Sequence, residues 1–309
     1  KARADSKLNK QQIMSGLRSY ATYGAKNPFN NQLSNDELNS LTAEELVAIL
    51  HDLPAYRHTV IYYGPDELGA ASEKIAKLHR LPASFKEDMP KQHFEKTVMQ
   101  SNKVLFADYD MVQAEVNWVR NGEVYDPHQT AVVDLFNNYF GGGMGSIVFQ
   151  TIRESKALAY STYAVYAEPN KKTDRYAMLA YVGSQADKIN EAIAGMNELL
   201  TVIPESEKNL ETARSSLKKN LETERITQDA IVFSYLNAQK LGLDMDIRKS
   251  VYESVDKLNF DDVKKLHQLN IAGKPYSYCI LASEKKVSLD DLKKYGDVQK
   301  VSLEELFGY

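Results

Sequence analysis

At 309 residues, with 43% apolar and 26% charged residues, the chain has the make-up of one large globular domain or two smaller ones. Thirty-eight basic against 42 acidic residues leave a net charge of −4, and the lack of a long single-sign block disfavours a nucleic-acid partner. No apolar run approaches the roughly 20 residues needed to span a bilayer. The single cysteine, Cys279, rules out an internal disulfide; its strand-like apolar setting marks a buried, inert thiol rather than a nucleophile.

In chain order, Ile13, Leu17 and Tyr20 have helical spacing and Gly24 follows as a stop. Thr42 and Glu45 form a capping box that opens a helix carrying Leu46, Val47 and Leu50. Residues 57–63 then have the composition of a strand closed by Gly64. From Pro65 to about Lys91 the chain is mixed, with one short helix-like piece and the pairs Leu81-Pro82 and Met89-Pro90, a linker by composition.

A longer series begins near Val104. Val112, Ala114, Val116 and Trp118 alternate with polar residues, as in a half-buried antiparallel strand, and Asn121-Gly122 is expected to turn it. Ala131, Leu135, Phe136 and Tyr139 make a helical stripe ended by Gly141-Gly142-Gly143. Residues 160–168 and 174–182 form a strand pair around Pro169-Asn170. Two helical stretches flank Pro204 between about Gln185 and Leu241. A helix from Asp261 to about Leu269 leads to a strand at Tyr276–Leu281.

The two ends of the chain echo one another. Ile13–Gly24 resembles Ile231–Gly242, Leu41–Glu45 resembles Leu258–Asp262, and the Ile61-Tyr62 strand falls on Tyr278-Cys279, at an offset of about 218 residues. Such an order is how a duplicated domain shows in sequence. The chain is then expected to open partway through one copy and to contain the whole of the next.

The glycine run is the densest cluster of signals. It is no phosphate loop, because no Lys-Ser or Lys-Thr follows and a helix precedes it where a strand belongs. A tight helix–helix connection accounts for the glycines but leaves Arg153 and Tyr160 without a role. If the following helix reached Tyr160, the two side chains, seven residues apart, would share a face about 10 Å apart. If it stops near Ala157, Tyr160 opens the next strand. Arg153 could equally form a surface ion pair with Glu154, worth little.

Phe140-Gly-Gly-Gly-Met-Gly-Ser146, an apolar helix and then Arg153-Glu-x-x-x-Leu-Ala-Tyr160 resemble the signature of the C-terminal half of M16 (pitrilysin/insulysin-like) zinc peptidases. The chain's close, Leu292–Asp297 through Leu303–Tyr309, is similar to the end of an M16 domain. The resemblance implies an α+β fold with a mostly antiparallel sheet flanked by helices, repeated in tandem. On it, residues 1–66 are the C-terminal part of a preceding domain, 67–98 a linker and 99–309 a complete C-terminal domain.

The same resemblance implies a zinc ion held in the other, N-terminal half by H-x-x-E-H, with the Glu as general base. This chain lacks that motif. His51, His58, His79, His93, His128 and His267 include no two four residues apart, and each is read as a surface or helix-edge residue. The chain is therefore expected to bind no catalytic zinc and to cleave nothing alone. The resemblance assigns it the far wall of a peptide-holding chamber, with Arg153 gripping substrate carbonyls and Tyr160 donating to the oxyanion. Its implied partners are the zinc-bearing half and a peptide substrate. The alternatives are a non-catalytic M16-like scaffold or assembly subunit, and a stand-alone peptide-binding module. The chain does not begin with Met and is expected to be processed from something longer; with its one cysteine this is compatible with a bacterial periplasm or cell envelope.

Overall fold

The alternation around Trp118 becomes the central strand of a six-stranded sheet. The computed structural model describes residues 1–79, 81–89 and 91–309. Its strands are β1 (Lys103–Asp108), β2 (Gln113–Val124), β3 (Ser161–Ala167), β4 (Arg175–Gln185), β5 (Ser277–Ala282) and β6 (Asp297–Lys300), in the order β3-β4-β2-β5-β1-β6. β3–β4, β4–β2 and β2–β5 pair antiparallel, with Trp118 opposite Ala180 on one side and Tyr278 on the other. β5–β1 and β1–β6 pair parallel. The sheet is thus mostly antiparallel and flanked by helices, an α+β fold.

One sheet face carries Val116, Trp118, Met178, Ala180 and Tyr278. It packs into a core with Phe136 and Phe140 from the Thr130–Phe140 helix, Ile193 and Met196 from Ile189–Thr201, and Val263 and Leu266 from Phe260–Asn270. Trp118 is wholly buried, and its Nε1–H donates to Asn197 Oδ1 at 2.8 Å, so its one polar group is satisfied. Over β1, β2 and β5 the other face is covered by the Lys10–Tyr23 helix, whose Ile13 and Leu17 are completely buried. The Cys279 thiol lies beneath it, 3.4 Å from the Leu17 carbonyl, and burial pushes its pKa up to about 12.

The chain divides into two compact units. The first comprises Lys1–Asn31, Phe94–Arg225 and Tyr235–Gly308; the second is mainly Gln32–His93, with Ile226–Ser234 and Tyr309. These boundaries do not fall at 66 and 98. Residues 1–31 belong to the unit that holds the sheet, because their apolar stripe is buried on it. In the second unit Thr42 and Glu45 do form a capping box at the head of the Ala43–Asp52 helix, and the linker stretch holds the Leu68–Leu78 helix. Pro90, paired above with Met89 as a linker mark, lies outside the described residues.

Three expectations need correction. Residues 57–63 form no strand: Val60, Ile61 and Tyr62 are exposed and this stretch joins no ladder. Asn121-Gly122 makes no turn either. β2 runs on to Val124 with a register shift against β4 after Asn121, and a Cβ on Gly122 would lie 2.9 Å from the Tyr166 hydroxyl, so the glycine admits a crossing ring. Around Pro204 there are three helices, Ile189–Thr201, Glu207–Thr223 and Asp229–Lys240. The repeat fares unevenly at this level. Leu258–Asp262 carries a capping box (Asn259, Asp262) like that at Thr42, but the counterpart of β5 is absent from 57–63.

Candidate functional site

The Thr130–Phe140 helix ends because Gly141 and Gly142 both turn their N–H groups back onto the Asn137 carbonyl, at 3.2 and 2.7 Å. Gly141 then passes so close to β3 that a Cβ would meet the Ala164 backbone at 2.0 Å. Three bonds close that seam: Ala164 N–H to Gly141 O at 3.4 Å, Tyr166 N–H to Asn137 Oδ1 at 2.7 Å, and Asn137 Nδ2 to Tyr166 O at 3.1 Å. Part of the outer edge of β3 is thereby occupied by the chain itself.

Ser146 starts the next helical segment. It is fully buried, its hydroxyl donates to Gly143 O at 2.8 Å, and the Phe149 N–H donates to that hydroxyl at 3.4 Å. From Phe149 to Ser155 the segment widens into a π-helix. Lys156 N–H reaches back to Thr151 O, Ala157 takes a left-handed conformation at φ 49°, and Leu158 N–H returns to Ile152 O. Helical geometry therefore stops before Ala157, and Tyr160 leads directly into β3, its N–H on Gly183 O at 2.8 Å. The arrangement with both residues on one helix face does not occur.

Arg153 lies half-exposed on the wide helix. Its guanidinium carbon sits 4.9 Å over the Phe149 ring, and its Nε is 3.8 Å from Glu154 Oε1. Both contacts are local and leave most of the fork's donors facing solvent. Tyr160, also half-exposed, lines an open cleft of about 730 Å³ with Lys10, Met111, Val112, Gln113, Gln185, Ala186, Asp187 and Lys286. Arg153 is not among the lining residues. The Tyr160 hydroxyl accepts from Gln185 Nε2 at 2.8 Å, which leaves its own proton for another acceptor. At the cleft wall Lys10 Nζ donates to the buried Glu115 carboxylate at 2.7 Å, and Lys286 Nζ to Met111 O at 3.2 Å. Gln185, Lys10 and Lys286 carry no sequence signal for this role, since only the tertiary fold brings them to the cleft that Tyr160 lines.

The histidines depart from the sequence reading at two places. His267 is a core residue, not a surface one: it is buried beside Phe136 and Phe140, 3.2 Å from Leu199 O, and burial holds its pKa below the usual imidazole value. His58 and His79 meet one another. Among the described residues, no group of three or more His, Cys, Asp or Glu is placed to hold a metal ion. The donor set therefore does not fit a catalytic zinc, and no helix among them is long and apolar enough to cross a membrane.

Residues 68–217 match the family model described as the peptidase M16 inactive domain, which places that stretch of the chain in the M16 peptidase family. It is 26% identical over 219 residues to an uncharacterized zinc protease, YmxG, of Bacillus subtilis (strain 168), covering 68% of this chain and 50% of the relative. The chain thus spans half the length of that curated relative. Among solved structures, a peptidase M16 inactive domain from Pseudomonas fluorescens superposes with a TM-score of 0.65 at 17% identity, over 91% of this chain and 68% of that one. Pitrilysin superposes with a TM-score of 0.63 at 11% identity, over 99% of this chain and 33% of its own. These two likenesses bear on the fold.

Proposed function

We propose that this chain is the C-terminal, substrate-binding half of a zinc-dependent endopeptidase acting on peptides. Its metal would be held by a zinc-bearing N-terminal half of the same parent or by a partner subunit. On this reading residues 1–66 descend from a preceding copy of the domain, whose Lys10–Tyr23 helix now covers the sheet of the complete copy.

The observation that carries the proposal is the setting of Tyr160. A phenol at a cleft mouth, with its oxygen already accepting from Gln185, is prepared to give its proton to an oxygen that gains charge during peptide-bond addition. Gln185 orients the hydroxyl, and the water-accessible cleft leaves room for an extended chain. Arg153, held over Phe149 with its fork outward, would hydrogen-bond substrate carbonyls away from the reacting centre.

The test combines this chain with its zinc-bearing half and follows cleavage of a fluorogenic peptide. Tyr160→Phe is expected to lower kcat about 10²–10³-fold with a nearly constant KM, and Arg153→Ala to act mainly on KM. Normal turnover in both variants would discard the assigned roles. If the complete parent cleaves no peptide in a chelator-sensitive way, the scaffold reading takes the place of the peptidase one.

A further inference from the structure

The second compact unit contains a side-chain arrangement that the peptidase reading does not use. Tyr56 and Lys86 pair as an isolated parallel bridge, and the Lys86 N–H donates to Ala55 O at 2.9 Å. Lys86 Nζ also holds both Asp52 oxygens, at 2.6 and 2.8 Å. These contacts tie residues 52–56 to residue 86, and Phe85 packs edge-on to His58 with ring centroids 6.0 Å apart. His79, at the C-terminal end of the Leu68–Leu78 helix, meets the same ring.

The two imidazoles are almost perpendicular, at 86°, with centroids 4.7 Å apart and their Nε2 atoms separated by 2.5 Å. His58 Nδ1 lies 2.7 Å from the Tyr56 carbonyl oxygen. A carbonyl only accepts, so this nitrogen carries the hydrogen, and the neutral ring presents a bare Nε2 lone pair outward. A backbone carbonyl on the far ring nitrogen is the usual support of a metal-ligating histidine. His79 turns its Nε2 to the same point. Two nitrogens so placed are satisfied only by a proton between them or by a cation.

We propose that His58 and His79 form a two-histidine site for a borderline transition-metal ion, with Zn²⁺ as its representative. Imidazole nitrogen is the ligand class that Zn²⁺, Ni²⁺ and Cu²⁺ share. Tetrahedral bonds of about 2.0–2.1 Å set the two nitrogens about 3.3 Å apart, so the rings must spread by about 0.8 Å to admit the ion. His58 is exposed and His79 half-buried. Among the described residues no third histidine, cysteine or carboxylate completes the set.

The experiment is calorimetric titration of the full chain with Zn²⁺ alone in a non-coordinating buffer, with imidazole Hε1 resonances followed by NMR. One site is expected, with two histidines shifting together. Both His58→Ala and His79→Ala should weaken binding by more than about tenfold, and His51→Ala and His93→Ala should leave it unchanged. The absence of Zn²⁺ binding overturns the proposal, as a pair sharing only a proton would give that result. Binding that survives either substitution at full strength overturns it as well. Circular dichroism of each variant confirms that the substitutions leave the fold in place.

Discussion

Alanine in place of Gly141 would set a methyl carbon 2.0 Å from the Ala164 carbonyl oxygen, 2.5 Å from its nitrogen and 2.6 Å from its carbonyl carbon. All three are backbone atoms of β3, so no side-chain rotation relieves the overlap. Either the helix end or the strand must move by more than about 1 Å, against interior packing that resists insertion at about 1–3 kcal/mol and occasionally more. The movement also loosens the three hydrogen bonds of the seam, each worth about 1 kcal/mol. The combined loss is up to about 4–6 kcal/mol, which at about 2–4 °C per kcal/mol for a unit of this size lowers Tm by up to about 8–24 °C. The neighbouring glycines supply the controls. Gly143 has φ +90° with nothing within 4 Å, so alanine there costs only the left-handed backbone, about 1–2 kcal/mol. Gly145 has ordinary φ and its nearest neighbour at 3.9 Å, so alanine is neutral within about 0.5 kcal/mol. Thermal melts followed by circular dichroism rank the three. A Gly141→Ala protein that melts with its parent, or a Gly145→Ala protein that falls as far, refutes the seam.

Asp134 gives a pH signature. Burial, with the Glu168 carboxylate nearby as a smaller cause, raises its pKa to about 7, against about 3.9 in an unfolded chain. Between these values the folded protein holds the extra proton, so its contribution to stability is complete below about pH 4 and is lost as pH rises through about 7. Asp134→Asn should therefore gain on the parent between pH 4 and pH 8, read as the difference in urea midpoints; an equal difference at both pH values counts against it. Cys279 is buried beneath Leu17 with its pKa pushed up to about 12. The native chain should leave a disulfide reagent such as Ellman's unreacted and release one equivalent only in denaturant, whereas rapid native reaction would mean that the Lys10–Tyr23 helix opens readily.

Elements written in local chemistry were legible. The capping box at Thr42 and Glu45, the Thr130–Phe140 helix with its glycine stop, and the β3–β4 pair need only neighbours within a few residues or a steady two-residue alternation. The stretch 57–63 shows the limit of that logic. Its β-branched and aromatic residues suit a strand, but a strand exists only where a second one supplies hydrogen bonds, and none does here. Gly122 misleads in the opposite sense: the same residue that opens turns also makes room for Tyr166. At the site, the motif pointed to Arg153 and Tyr160, yet a widened helix and a left-handed Ala157 end the helix before Tyr160, which seven-residue spacing does not encode.

The sequence by itself determined the family motif, the absence of H-x-x-E-H and the order of most helices and strands. Each of these depends on residue identity or on contacts along a short span. The tertiary structure decided what lies beside what: the Lys10–Tyr23 helix over the sheet, Gln185 on the Tyr160 hydroxyl, Gly141 against Ala164, and His58 facing His79. Those contacts join positions far apart in the chain or at element ends. They are set by strand register and by which faces must be buried together, and no local pattern of residues specifies either.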